Sequence, residues 1–166
     1  MMGTDPAPPR CYVASPLGFN EAGRFYYEER YLPALAAIVE PVDPWAQLAA
    51  QTLDRAVSEG RLRQLWLQVG QENIKLIRSS ELLVAWLDGQ EIDSGTAVEL
   101  GYAAGIGRHC FGLRSDLRQT GEETMAVNLQ VESTILSTGG VVVSSLESLL
   151  DALRASLASS LSRSLP

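Results

Sequence analysis

Between two apolar stretches the chain reads Leu87-Asp88-Gly89-Gln90-Glu91-Ile92-Asp93-Ser94-Gly95-Thr96-Ala97-Val98-Glu99-Leu100-Gly101-Tyr102. Four acids fall in this stretch: Asp88, Glu91, Asp93 and Glu99. An ionised carboxylate is a competent covalent nucleophile. One placed near the start of a helix is favoured as the anion by about 0.3–1 kcal/mol. Glu99 sits about one turn into a predicted helix, and its small neighbours Gly95, Ala97 and Gly101 leave room for a substrate to approach. The same residues have a purely structural reading. Thr96-Ala97-Val98-Glu99 fits a capping box with Thr96 as the cap, Asp93 fits a helix cap, and Asp88 before Gly89 fits a turn. Four acids in one loop also suit a solvated face, and spacing alone leaves both readings open.

Positioning such a loop requires a rigid frame, and the hydropathy pattern supplies one. Short apolar runs at Cys11–Ser15, Ile38–Val42, Leu82–Leu87, Cys110–Leu113 and Val141–Val143 read as strands. Leu82–Leu87 is continuously apolar, as expected of a strand covered on both faces. Helical patterns lie between them. In the segment from Asn20 to Ile38, Tyr27, Tyr31 and Leu35 share a face, and Pro33 is expected to kink or break the helix. Residues 43–60 read as an Ala-rich helix or two, closed by Gly60. In residues 61–80, Leu62, Leu65, Trp66 and Val69 share a side and Gly70 is expected to interrupt. Asp93–Ile106 reads as a helix with Gly101 and Gly105 spaced for close helix packing. The last helix carries Leu146, Leu149, Leu150, Leu153 and Leu157 on one stripe, with Ser144 and Glu147 at capping-box spacing. Alternating strands and helices predict an α/β, doubly wound (flavodoxin- or Rossmann-like) five-stranded parallel sheet with helices on both faces. Ligands in such folds bind beyond the carboxyl ends of the strands, so the loops after Ser15, Val42, Leu87 and Leu113 are where a site belongs. The expected organisation is a loose lead-in over 1–10, one domain over 11–157 and a frayed Ser-rich tail over 158–166.

Composition narrows the function classes. The 166 residues are 46% hydrophobic, with 13 Lys and Arg against 20 Asp and Glu, a formal charge of −7. That apolar content excludes disorder for the body of the chain. The acidic balance, with no basic cluster, argues against nucleic acid as a partner but not against a small uncharged nucleoside. No apolar run approaches the roughly 20 residues of a membrane span, and the N-terminal segment has no secretory pattern, so a cytoplasmic protein is expected. Cys11, Cys110 and His109 form no metal-ligand spacing; both thiols read as buried and reduced, and no metal is expected. Arg114, Asp116 and Arg118 read as a surface ion-pair group rather than substrate contacts.

Asp93-Ser94-Gly95-Thr96-Ala97-Val98-Glu99-Leu100-Gly101-Tyr102-Ala103-Ala104 resembles the signature of the nucleoside 2-deoxyribosyltransferase family. Tyr12 to Phe19 looks like that family's first strand and loop, Asp43-Pro44-Trp45 like its second loop, and Val127 to Val131 like a late segment that reaches a neighbouring subunit; the blocks come in the family's order. The resemblance implies that Glu99 is the nucleophile. It would attack C1′ of a 2′-deoxynucleoside, expel the base and hold a deoxyribosyl ester until a second base attacks, with net retention as in a retaining glycosidase. It further implies that Tyr12 orients Glu99, Asp93 binds the sugar hydroxyls, and Asn128 reaches the 5′-hydroxyl in a neighbouring subunit. Phe19 and Trp45 would border the base; beyond Gln47, Glu72 and Asn73 the sequence offers no strong base-reading set. No cofactor is implied. The partners implied are 2′-deoxynucleosides and free nucleobases, and the assembly is a homo-oligomer built from dimers, a hexamer.

Two departures stand out. Family members often carry an acid about twenty residues before the position of Asp93, which protonates the base; here that position is Asn73, which donates a hydrogen bond but transfers no proton. Glu72, Asp88 or solvent remain as proton sources. The Ser-rich C-terminus also lacks the aromatic end seen in some members. Three functions compete: a transferase accepting purines and pyrimidines, a hydrolase of 2′-deoxynucleoside 5′-monophosphates, and a non-catalytic nucleoside-binding module. The loop Ser15-Pro16-Leu17-Gly18-Phe19 loses an amide at Pro16 and has no Arg before Arg24, which argues against a phosphate site.

Overall fold

The computed structural model describes residues 7–163. Strands β1 (Arg10–Ala14), β2 (Glu40–Val42), β3 (Leu82–Trp86), β4 (His109–Leu113) and β5 (Val142–Val143) form one sheet. All pairs are parallel and the order is β2-β1-β3-β4-β5. This is the doubly wound α/β sheet that the alternating pattern predicts, with shorter second and fifth strands. The strand order turns around β1, which has β2 on one side and β3 on the other. A crevice is therefore expected beyond the carboxyl ends of β1 and β3.

Strand side chains alternate between the faces, and the sheet's two cores obey that alternation. Cys11, Val13, Leu82, Val84, Trp86, Phe111 and Leu113 meet Tyr27, Tyr31 and Leu35 of the first helical segment and Leu149 and Leu153 of the last helix. Tyr12, Ala14, Leu83, Ala85, Leu87 and Cys110 face the other way, against Ile77, Leu100, Ala103 and Ile135. Tyr12 thus projects toward the layer that carries Glu99.

The first helical segment comprises α1 (Glu21–Tyr26), a wide π turn over Tyr27–Tyr31, and α2 (Leu32–Ala36). Pro33 is accommodated without a break. The Leu32 N–H reaches back to the Tyr27 carbonyl, one residue beyond the α-helical partner, and this widened turn directly precedes the proline. Tyr27, Tyr31 and Leu35 are all buried on one face. Next come a 3₁₀ turn over Pro44–Gln47, α3 (Ala50–Ser58) and α4 (Leu62–Arg78). Gly60 closes the hairpin between α3 and α4 with φ +66°. Gly70 does not interrupt α4. A central glycine costs a helix about 1 kcal/mol relative to alanine, and α4 tolerates it within 17 residues.

Helix α5 (Ser94–Gly105) comes after β3 and begins at Asp93, whose side chain accepts from the Thr96 N–H. Thr96 is therefore the third residue of the helix, not its cap, and the capping-box reading of Thr96 and Glu99 is replaced by an Asp93–Thr96 cap three residues earlier. An added Cβ on Gly101 or Gly105 would meet nothing within 4 Å, so within this chain these glycines serve no helix packing. Helices α6 (Leu129–Ser137) and α7 (Leu146–Arg163) complete the layers. The α7 cap is Ser145, whose Oγ accepts from the Ser148 N–H at 3.1 Å, one residue later than expected. The helix also continues through Arg163, across much of the segment expected to fray. Both cysteines are free and buried. No helix among the described residues is long and apolar enough to cross a membrane.

Gly140 marks how tightly β5 enters the sheet: a Cβ there would lie 1.7 Å from the Cys110 carbonyl oxygen. The obstacle is backbone, so relaxation must distort β4. Gly140→Ala is expected to cost about 3 kcal/mol, read as a lower urea midpoint at unchanged slope.

Candidate active site

A cleft of about 260 Å³ opens beyond β1 and β3, lined by Ser15, Phe19, Pro44, Trp45, Trp66, Val69, Asn73, Asp93, Gly95, Thr96 and Glu99. Its size suits one small molecule. Glu99 reaches it from the second turn of α5. The Tyr12 hydroxyl, rising from β1, donates to Glu99 Oε1 at 2.6 Å. Asn73 Nδ2, from α4, donates to the same oxygen at 3.2 Å. Both bonds fall on Oε1, and no described protein group donates to Oε2, leaving one oxygen fixed and the other available to react. Gln47 Nε2 donates to Asn73 Oδ1 at 2.7 Å and to the Pro44 carbonyl at 3.1 Å, which fixes the Asn73 amide. Gln47 itself does not line the cleft.

Burial pushes the Glu99 carboxyl above its ordinary pKa; the hydrogen bonds from Tyr12 and Asn73 act against that rise, and nearby Asp93 adds to it. Burial, then the neighbouring Glu99 charge, also raises the Tyr12 phenol, which keeps its proton as a donor. The helix N-terminus alone therefore does not set the charge state of Glu99, because desolvation is the larger effect. Asp93 Oδ2 is held by the Thr96 N–H at 2.8 Å and by Thr96 Oγ1 at 3.2 Å. Asp93 both caps α5 and lines the cleft, so capping does not remove it from the site.

The opposite wall is aromatic. Phe19 and Trp45 meet edge to face with centroids 4.7 Å apart. Trp45 Nε1 donates to the Ser15 carbonyl at 3.1 Å. Asp43 Oδ1 accepts from the Trp45 N–H and the Tyr27 hydroxyl, each at 2.9 Å. Phe19 remains 71% exposed, which an aromatic packed in a core would not be.

Three predicted residues stand elsewhere. Glu72 forms an ion pair with Lys75 at 2.7 Å outside the cleft. Asp88 is occupied by the Ser115 N–H and Oγ and the Asp116 N–H, at 2.6, 2.5 and 2.9 Å, so it joins the loops after β3 and β4. Asn128 is exposed and caps α6, accepting from the Gln130 N–H at 2.9 Å. Arg114 departs from the ion-pair reading. It is buried and donates to the carbonyls of Leu87, Gly89 and Arg118 at 2.6, 2.7 and 2.7 Å, while Asp116 pairs with Arg118. Sequence reasoning missed Trp66 and Val69 as cleft residues. With Asn73 they form an i, i+3, i+7 stripe on α4, the signal that would have placed them together. Among the described residues no group of His, Cys, Asp and Glu side chains could hold a metal ion.

The family model for nucleoside 2-deoxyribosyltransferase matches residues 11–151. The chain belongs to the nucleoside 2-deoxyribosyltransferase family. Among solved structures it is similar to a conserved protein from Enterococcus faecalis V583, at 27% identity and TM-score 0.60, over 90% of this chain and 99% of that one. A 2-deoxyribosyltransferase from the psychrotolerant bacterium Bacillus psychrosaccharolyticus shares the fold at 19% identity and TM-score 0.54, over 85% and 90%. A CMP N-glycosidase, BcmB of Clostridium botulinum, does so at 14% identity and TM-score 0.50, over 88% and 98%. No curated protein matches the chain significantly. Membership makes this deoxyribosyltransferase-family chain a nucleoside-processing enzyme with a Rossmann-like fold.

The raised Glu99 pKa has consequences of definite sign. The folded state holds that proton more tightly than the unfolded chain does, so ionising Glu99 near neutral pH costs stability. Glu99→Gln keeps an acceptor for Tyr12 and removes the buried charge. Its melting temperature at pH 7 is expected to equal or exceed that of the wild type in calorimetry. A Cβ on Gly18 would lie 2.4 Å from the Trp45 indole. Gly18→Ala is therefore expected to displace Trp45 and raise KM for any substrate stacked there, about tenfold, with little change in melting temperature.

Proposed function

We propose that this chain exchanges the base of 2′-deoxynucleosides through a covalent deoxyribosyl ester on Glu99. The observation that carries the reading is the asymmetry of that carboxylate: Oε1 is held by Tyr12 and Asn73, while Oε2 has no partner among the described residues. Oε2 attacks C1′ as the C1′–N bond breaks, and the electron pair leaves with the base. A second base, giving up its ring N–H proton to water, attacks C1′ from the vacated side, returning the pair to Glu99 and giving net retention. The transition state resembles an oxocarbenium ion, which the carboxylates of Glu99 and Asp93 stabilise. Asp93 also holds a sugar hydroxyl, and the bases stack in the aromatic wall of Phe19 and Trp45. That wall offers a face to any base, so stacking by itself does not choose between purines and pyrimidines. Asn128, exposed and outside its own chain's cleft, serves the 5′-hydroxyl of a substrate in a neighbouring copy, within a dimer-based homo-oligomer working in the cytoplasm.

Among the described residues no Lys or Arg lines the cleft, and Asp93 and Glu99 both repel an anion. These features support a nucleoside over a nucleotide substrate. The test is to incubate the protein with 2′-deoxyuridine and free thymine and to follow products by chromatography. A new deoxynucleoside is expected, together with a deoxyribosyl adduct on Glu99 by mass spectrometry of quenched enzyme. Glu99→Gln is expected to reduce exchange at least about a thousandfold. Wild-type exchange should fall off in acid with a midpoint above the ordinary glutamate value, because only the carboxylate attacks. Cleavage confined to deoxynucleoside monophosphates would identify a hydrolase instead, and binding without turnover a non-catalytic module.

A further inference from the structure

The proposed reaction puts a pair of electrons on the departing base, and among the described residues of this chain the cleft contains no group placed to neutralise it with a proton. Asp93 and Glu99 are the acids lining the cleft. Glu99 is spent as the nucleophile. Asp93 is bound as an acceptor of two hydrogen bonds at the start of α5. The Trp45 indole N–H is committed to the Ser15 carbonyl, and the hydroxyls of Ser15 and Thr96 are far too weakly acidic to act as general acids. The Tyr12 hydroxyl is committed to Glu99. Glu72, next to Asn73 in the chain, is held outside by Lys75.

Asn73 lines the cleft beside the nucleophile. Its orientation is fixed at both ends, because Oδ1 accepts from Gln47 and Nδ2 donates to Glu99 Oε1. An amide nitrogen carries two N–H donors. One is used on Glu99, and the other has no partner among the described residues. It can hold an acceptor on the base, but it has no proton to release.

We infer that this site expels nucleobases without enzymic protonation, and that Asn73 thereby sets its substrate class: 2′-deoxynucleosides of uracil-type pyrimidines, whose bases leave as resonance-stabilised anions. The inference rests on the transfer reading above and goes beyond it. As the C1′–O bond to Glu99 forms, the C1′–N1 bond breaks, and its electron pair spreads from N1 over the two carbonyl oxygens of the pyrimidine. The second Asn73 N–H meets one of those acceptors. The base takes its proton from water after departure. Adenine-type purines, whose departure is assisted by protonation of a ring nitrogen, are poor leaving groups here. By microscopic reversibility they are also poor acceptors.

The test is single-turnover base release from 5-fluoro-, 5-bromo-, unsubstituted and 5-methyl-2′-deoxyuridine, and from 2′-deoxyadenosine. Bromine and methyl are of similar size but opposite in their effect on the acidity of the base, so the series separates leaving-group strength from fit. For the wild type, the fluoro and bromo compounds are expected to react about tenfold or more faster than the methyl compound, with 2′-deoxyadenosine slowest. Asn73→Asp supplies an acid and removes the donor to Glu99. It is expected to compress the pyrimidine spread to about threefold or less and to raise release from 2′-deoxyadenosine relative to thymidine. It should also introduce a loss of activity on the alkaline side as the new carboxyl ionises. The groups bearing on that titration are Tyr12 from β1, and Asp93 and Glu99 at the start of α5. Equal wild-type rates for bromo and methyl compounds would overturn the inference while leaving the transfer reading intact. So would an Asn73→Asp enzyme that folds, releases base and keeps the full spread. Failure of every deoxynucleoside to release its base would overturn the transfer reading itself, and the inference with it.

Discussion

A carboxylate withdrawn from water must be compensated by hydrogen bonds or it will not stay charged. Much of this chain is arranged around that constraint at Glu99. Burial raises its pKa, and the Tyr12 hydroxyl and Asn73 amide oppose the rise. The donors come from different layers: Tyr12 from the middle of the sheet, Asn73 from α4, the carboxylate from α5. Their meeting depends on the register of β1 against β3, where Tyr12 lies opposite Leu83, and on α4 and α5 packing over the same face. A shift of β1 by one residue would turn Tyr12 to the opposite face and leave Glu99 with half its support.

The loops at this end are held with similar economy. Asp43 joins the Tyr27 hydroxyl to the Trp45 backbone, and Gly18 lets Trp45 lie against the first loop. Arg114 gathers three carbonyls from the loops after β3 and β4, while Asp88 ties the same two loops through Ser115 and Asp116. Neither Arg114 nor Asp88 reaches the cleft, yet both fix the loop leading from β3 to Asp93 and hence the start of α5.

Local and periodic features are the ones legible in the sequence. The buried run at β3, the shared face of Tyr27, Tyr31 and Leu35, and the parallel sheet are all consequences of hydrophobic spacing, and so is the helix around Glu99. The cap of α5 is ambiguous in sequence because Asp93 and Thr96 are both good caps three residues apart, and only the geometry shows Asp93 taking the N–H of Thr96. Asp88 and Glu72 carry the right chemistry but are claimed by other partners, Asp88 by Ser115 on the loop after β4 and Glu72 by Lys75 three residues on, which spacing does not weigh against a ligand. In sequence Trp66 is simply one face of an amphipathic helix; whether such a face meets a core or a cleft depends on where the β1 and β2 loops fall. Oε1 and Oε2 of Glu99 differ only because two remote segments donate to one of them, and no local pattern encodes that.

The π turn at Tyr27–Tyr31 ties helix winding to the aromatic wall of the cleft. A π turn holds one more residue than the α-helical path it interrupts, and here the turn begins at the residue whose hydroxyl must reach Asp43. Each residue removed from a helix rotates the segment before it by about 100° relative to the segment after it. Excising one residue from this turn would keep the helix and Pro33, but it would swing the phenol away from the loop that holds Trp45. The length of this turn and the placement of the indole shelf are therefore a single geometric constraint, because one phenol serves the winding of the helix and the anchoring of the shelf.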